Sequence, residues 1–80
     1  VEDILKQARR VKHYHKLKMR YIGDQIFVEF HIEVDPDMSI YEGHEVARLL
    51  KQEIMGRDQK IYDVLIHIEP EGDHLHSKDE

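Results

Sequence analysis

The stretch Asp63-Val64-Leu65-Ile66-His67-Ile68-Glu69-Pro70 sets an imidazole and a carboxylate two residues apart in a run that otherwise reads as a strand. Alternate residues of a strand share a face, so His67 and Glu69 point the same way, with Cα atoms about 6.6 Å apart. Both can reach one divalent ion, because zinc–nitrogen and zinc–oxygen bonds are only about 2.0–2.2 Å long and the side chains supply the remaining reach. His31 lies in a second alternating run, where Phe27, Glu29, His31 and Glu33 oppose Ile26, Val28, Phe30, Ile32 and Val34. If the two runs are neighbouring strands, roughly 4.8 Å apart, His31 approaches His67. The chain has seven histidines and no cysteine. Neutral imidazole is the commonest nitrogen ligand of zinc and related ions, and without thiolates any site must combine imidazole with carboxylate. Such a donor set suits exchangeable metal better than a closed structural site.

Each of these residues also has a plainer reading. A histidine beside apolar residues is ordinarily a hydrogen-bonded structural group, and for His31, His67 and Glu69 together the residues alone leave both readings open. Glu29 and Glu33 read as solvated strand-face carboxylates. His15 has the parity of Leu17 and Met19, so alternation does not place it on the ligand face. His44 lies in a helix and can meet strand-borne ligands only at an element end or across a subunit boundary. His13 pairs with His15 in an H-x-H motif whose role is open. His74 and His76 form another, in a polar tail, and read as a weak scavenger. Enzyme chemistry finds little footing. There is no cysteine nucleophile, Ser39 is accounted for as a helix cap, and neither a Gly-rich phosphate loop nor an arginine-bearing anion loop is present.

The elements that must position these groups follow from periodicity. Val1, Ile4, Leu5, Ala8 and Val11 give an amphipathic helix over about 1–11. Leu17, Met19 and Tyr21 alternate in a strand over about 15–22. Gly23-Asp24 turns it into the strand 26–34, an antiparallel hairpin. Ser39-Ile40-Tyr41-Glu42 is a capping box that opens a helix over about 40–55, with Gly56 as its stop. Its inner stripe is Ile40, Gly43, Ala47, Leu50 and Ile54, with Gly43 allowing close approach to the sheet. A third strand over 60–69 carries Tyr62, Val64, Ile66 and Ile68 on one face, and Pro70 and Gly72 end it. Residues 71–80 are expected to fray. The strand–helix–strand unit makes strands two and three parallel. The predicted fold is α+β: two layers in the order αββαβ, with a three-stranded mixed sheet covered on its apolar face by helices.

Eighty residues make one small domain. A chain this short buries only about 60% of its unfolded surface, so a metal or a second copy would supply welcome stability. Acidic residues outnumber basic ones by 17 to 12, giving a net charge of −5, which argues against nucleic acid as a partner. Lys12, Lys16, Lys18 and Arg20 read as a solvated strand face. No apolar run approaches the roughly 18–20 residues of a membrane helix. The chain begins at Val1 rather than Met, so the expectation is a piece of something longer.

The runs His15-Lys16-Leu17-Lys18-Met19-Arg20…Gly23, Phe27-Val28-Glu29-Phe30-His31-Ile32-Glu33-Val34, Met38-Ser39-Ile40…Gly43-His44 and Asp63 to Pro70 together resemble the C-terminal cytoplasmic domain of cation diffusion facilitator transporters. The resemblance covers nearly the whole chain, in order. It implies a ferredoxin-like, metallochaperone-like fold that forms a V-shaped homodimer. It places the domain on the cytoplasmic side of the cell membrane, attached to the transmembrane domain of the same parent, which exports Zn2+ or a related divalent cation. Metal binding would tighten the dimer and regulate transport. The family's ligand pattern falls on His15, His31, His44, His67 and Glu69, with Glu69 standing where zinc members carry Asp. Two other readings stay open: a structural dimerisation module without metal sensing, and a small-molecule sensor.

Overall fold

The structure is a computed structural model that describes residues 1–72. Its elements run α1 (Glu2–Gln7), β1 (His13–Ile22), β2 (Gln25–Val34), α2 (Ile40–Arg57) and β3 (Ile61–Pro70). The sheet order is β1-β2-β3, with β1 antiparallel and β3 parallel to the central β2. The expected αββαβ order and mixed sheet are therefore present.

β2 organises both sides of the sheet. Val28, Phe30, Ile32 and Val34 are buried and pack with Ile61 and Val64 of β3, Ile4 and Leu5 of α1, and Val46, Leu50 and Ile54 of α2. Both helices thus supply apolar residues to one face of the sheet, and the residues between those core positions look outward from the other. Gly23 turns β1 into β2 with φ 61°, the left-handed value that favours glycine at the first central position of a type II′ hairpin.

Several boundaries and faces differ from the sequence reading. α1 ends at Gln7 rather than near Val11, because Ala8 turns extended and the Lys12 N–H donates to the Glu33 carbonyl at 2.8 Å, drawing the chain toward the sheet. α2 runs through Gly56 to Arg57 and is capped by extended Asp58, so Gly56 is not its stop. Its buried stripe is Gly43, Val46, Leu50 and Ile54; Val46 takes the place given to Ala47, and Ile40 is 80% exposed. On β3, one extra residue falls between the pairs Ile26–Ile61 and Phe27–Asp63. That irregularity puts Ile61 in the core and turns Tyr62 out, 47% exposed, where its ring lies 6.1 Å from that of Phe27. Among the described residues, no helix is long and apolar enough to cross a membrane.

The expected capping box is present. The Glu42 N–H donates to Ser39 Oγ at 3.0 Å, and the Ser39 N–H donates to Glu42 Oε1 at 3.3 Å. The Ser39 backbone N–H, then its hydroxyl, hold the Glu42 carboxyl below its usual range against partial desolvation. A folded value below the unfolded one means that this contribution is present above the unfolded carboxylate range and is lost as pH falls through the folded value. Ser39→Ala should cost about 1 kcal/mol at neutral pH through the lost cap, and the difference should shrink as acid protonates Glu42, in urea denaturation of both proteins at neutral and acidic pH.

A Cβ added at Gly43 would meet Ile68 Cγ2 at 3.5 Å, an ordinary contact. The close approach is thus open to alanine, which forms helix better than glycine by about 0.8–1.0 kcal/mol. Gly43→Ala should raise the urea midpoint; a lower midpoint would show that Ile68 cannot accommodate the methyl group.

Candidate metal centre

The outward face of the sheet is set by register. His15, His31 and His67 form one row across the three strands, and His13, Glu33 and Glu69 form the next. On the other side of the histidine row lie Lys18, Glu29 and Leu65. The imidazole planes of His31 and His67 stack, with centroids 4.3 Å apart and an interplanar angle of 15°. His15 and His31 lie 5.2 Å apart and tilted.

His15 reaches this face through a β-bulge. Between the pairs His15–His31 and Lys18–Glu29, β1 advances three residues while β2 advances two. Lys16 absorbs the extra residue with φ 57°, a left-handed conformation for a side-chain-bearing residue. The bulge reverses the parity of everything before it. His15 and His13 thus join the outward face, while Tyr14 turns inward against the core, as Leu17 does. Simple alternation assigned His15 the parity of Leu17 and Met19; the bulge removes that conflict. The sequence signal was available, since Tyr14 and Leu17, three apart, can share a face of one strand only if a residue is inserted between them.

The three strands converge on Glu69. His15 Nε2 donates to Glu69 Oε1 at 3.1 Å, and His31 Nδ1 donates to Glu69 Oε2 at 2.6 Å. One carboxylate from β3 therefore engages imidazoles from β1 and β2, and the length of glutamate serves that span. Burial pushes the Glu69 carboxyl up; the hydrogen bonds from His31 and then His15, with the charge of those rings, outweigh it and hold the carboxyl below its usual range. One ligand atom each from His15, His31 and Glu69 lies within 4.8 Å of the others. Donors around a tetrahedral zinc ion stand about 3.3 Å apart, given bonds of about 2.0–2.1 Å, so this trio fits such an ion with small adjustments. A metal takes the nitrogen lone pair, so the proton now shared with the carboxylate must leave that nitrogen.

His67, although beside His31, turns the other way along the sheet. Its Nε2 donates to Glu29 Oε2 at 2.8 Å, which is the main cause of Glu29 being held below its usual range. His44 is exposed on α2 and borders a cleft shared with Glu69, Ile68 and Pro70. The His15–His31–Glu69 trio does not include it. Glu33, read from the sequence as solvated, is 3% exposed; its Oε2 lies 3.6 Å from His15 Nε2, and its Oε1 accepts from the Gly72 N–H at 3.4 Å. Flanking residues gave no hint of this, because its burial comes from β1 and the end of β3 folding over it. His13 lies 3.4 Å from Glu71. The expected frayed tail, with His74 and His76, lies outside the described residues apart from Glu71 and Gly72.

A two-layer α+β domain with both helices on one face of a three-stranded mixed sheet has the ferredoxin-like fold. The family model described as the cytoplasmic domain of cation efflux proteins matches residues 1–71, and the chain belongs to that family. These are transporter domains and not enzymes. The metal-bound C-terminal domain of the CzcD transporter from Thermotoga maritima superposes with a TM-score of 0.87 at 35% identity, covering 90% of this chain and 84% of that one. Metal tolerance protein C1 of Arabidopsis thaliana is 31% identical over 70 residues, 88% of this chain and 15% of that protein. The manganese efflux system protein MneP of Bacillus subtilis is 28% identical over 67 residues, 84% of this chain and 23% of that protein. The chain thus spans less than a quarter of the length of these two relatives.

Deletion of Lys16 tests the bulge. It removes the extra residue and leaves Tyr14 and Leu17 two apart, so His15 should keep its place opposite His31 and zinc binding should survive; Lys16→Gly, which suits the left-handed backbone, should also leave binding intact, while His15→Ala should weaken it. Calorimetric zinc titrations of the three variants compare them directly.

Proposed function

We propose that this chain is the regulatory domain of a divalent-cation efflux transporter, lying on the cytoplasmic side of the membrane as part of the same parent protein as its transmembrane domain. It binds Zn2+ and pairs with a second copy of itself. The observation that carries the reading is the convergence of His15 Nε2, His31 Nδ1 and Glu69, one group from each strand, within 4.8 Å. His67, stacked on His31, and His44, at the cleft beside Glu69, extend the donor set. Imidazole-rich sets favour zinc over manganese in the Irving–Williams order, which is the reason to expect zinc here despite the manganese relative.

Two features support pairing. The outward sheet face carries Phe27 beside Tyr62 and Leu65, with Leu65 45% exposed, so it offers apolar area that no helix among the described residues covers. The same face carries Glu29, Glu33 and Glu69, which repel a like-charged copy. A divalent ion offsets that charge, and it shifts the pairing only as far as it binds the closed arrangement more tightly than the open one. Regulation of transport would then be a change in how two such domains sit under their transmembrane parts.

Calorimetry should give a zinc Kd of about 1 μM or below for the wild type. His31→Ala should bind at least about 10–100-fold more weakly. Affinity should fall below about pH 6 as the imidazoles take up protons. Small-angle scattering should show the dimer closing with zinc. Absence of micromolar binding would end the metal-sensing reading, and a monomeric sedimentation coefficient at tens of micromolar protein would end the pairing.

A further inference from the structure

We propose that Glu33 is a direct metal ligand, making the centre a two-histidine, two-carboxylate site. This rests on the metal-binding reading above and goes beyond it, since the trio of His15, His31 and Glu69 does not include Glu33. The geometry carries it. Glu33 Oε2 lies 3.6 Å from His15 Nε2, and Glu69 Oε1 lies 3.1 Å from the same nitrogen. A carboxylate that only orients a metal-bound imidazole holds the nitrogen that does not bind the metal. Here both carboxylates address one nitrogen, so both are aimed at the space an ion on that nitrogen would fill.

The surroundings of Glu33 agree with a ligand's role. Its side chain is 4% exposed, against 15% for Glu69 and 27% for His15, so it is the most desolvated of the four groups. A buried carboxylate is costly unless it is paired or coordinates a metal, and a cation beside it is screened least. Its register partners are His13 on β1 and Glu69 on β3, which brings the two carboxylates side by side on neighbouring strands. Two carboxylates and two neutral imidazoles sum to −2, so a divalent cation leaves the centre neutral. A monovalent cation would leave one buried negative charge. Glu33 therefore sets the charge selectivity of the site, and its oxygen admits harder divalent ions that a purely imidazole site would bind weakly.

The test uses the 80-residue chain with zinc and cobalt(II) as probes. In a crystal of the wild type grown with zinc, a Glu33 oxygen should lie about 2.0–2.2 Å from the ion; a separation beyond about 3 Å would overturn the proposal. Glu33→Gln should weaken zinc binding at least about 10-fold and change the visible absorption of bound cobalt, which reports donor number and geometry. Weaker binding with an unchanged cobalt spectrum would mean that Glu33 only positions other ligands, and unchanged binding would mean that it takes no part; either result overturns the assignment while the metal-binding reading stands. A wild type that binds neither ion would overturn that reading itself. If Glu33→Gln fails to unfold cooperatively, the wild-type crystal decides.

Discussion

The alternation of β2 is the constraint on which the rest depends. Every second residue, from Val28 to Val34, is buried against the helices, and the residues between them are Glu29, His31 and Glu33. A one-residue slip would exchange the two sets, placing three ionisable groups in the core and four apolar ones in water. Packing of the core therefore fixes the site. The strength with which Phe30 and Ile32 hold their places determines how firmly His31 and Glu33 hold theirs. The site needs no loop to build it, and strands position side chains more rigidly than loops do.

Charge then gives this rigid face its behaviour. Glu29 answers His67, and Glu69 answers His15 and His31, so the row of imidazoles has carboxylates on both sides along the strands. Each carboxylate in these pairs is more comfortable ionised than it would be alone, despite partial burial. The cluster accordingly presents ionised carboxylates and ring nitrogens together at neutral pH, which a divalent cation requires. Lys18 and Arg20, on the same face toward the hairpin, lower Glu29 further.

Much of this was legible in the sequence. Clean period-two runs gave β2 and the inner face of β3, and Ser39 with Glu42 marked the start of α2. His31 and Glu69 could be placed on one face by counting alone. What escaped counting were the two places where a strand takes an extra residue. At Lys16 the insertion brings His15 to the cluster, and before Asp63 it exchanges Ile61 with Tyr62. Bulges are tertiary compromises: the backbone accepts a locally poor conformation so that residues on both sides pack well, and a periodicity template has no term for that. The burial of Glu33 was hidden for a related reason, since the residues that cover it come from β1 and from the end of β3.

The bulge at Lys16 has a consequence for solution behaviour. A three-stranded sheet has two open edges, each able to recruit a strand from another molecule. β1 is kinked at its middle and carries Lys16 and Lys18 exposed, and β3 finishes at Pro70, which has no N–H to offer. Both borders are thus poor templates for runaway strand addition. The irregularity that brings His15 to the cluster also makes β1 a poorer template than a regular edge strand.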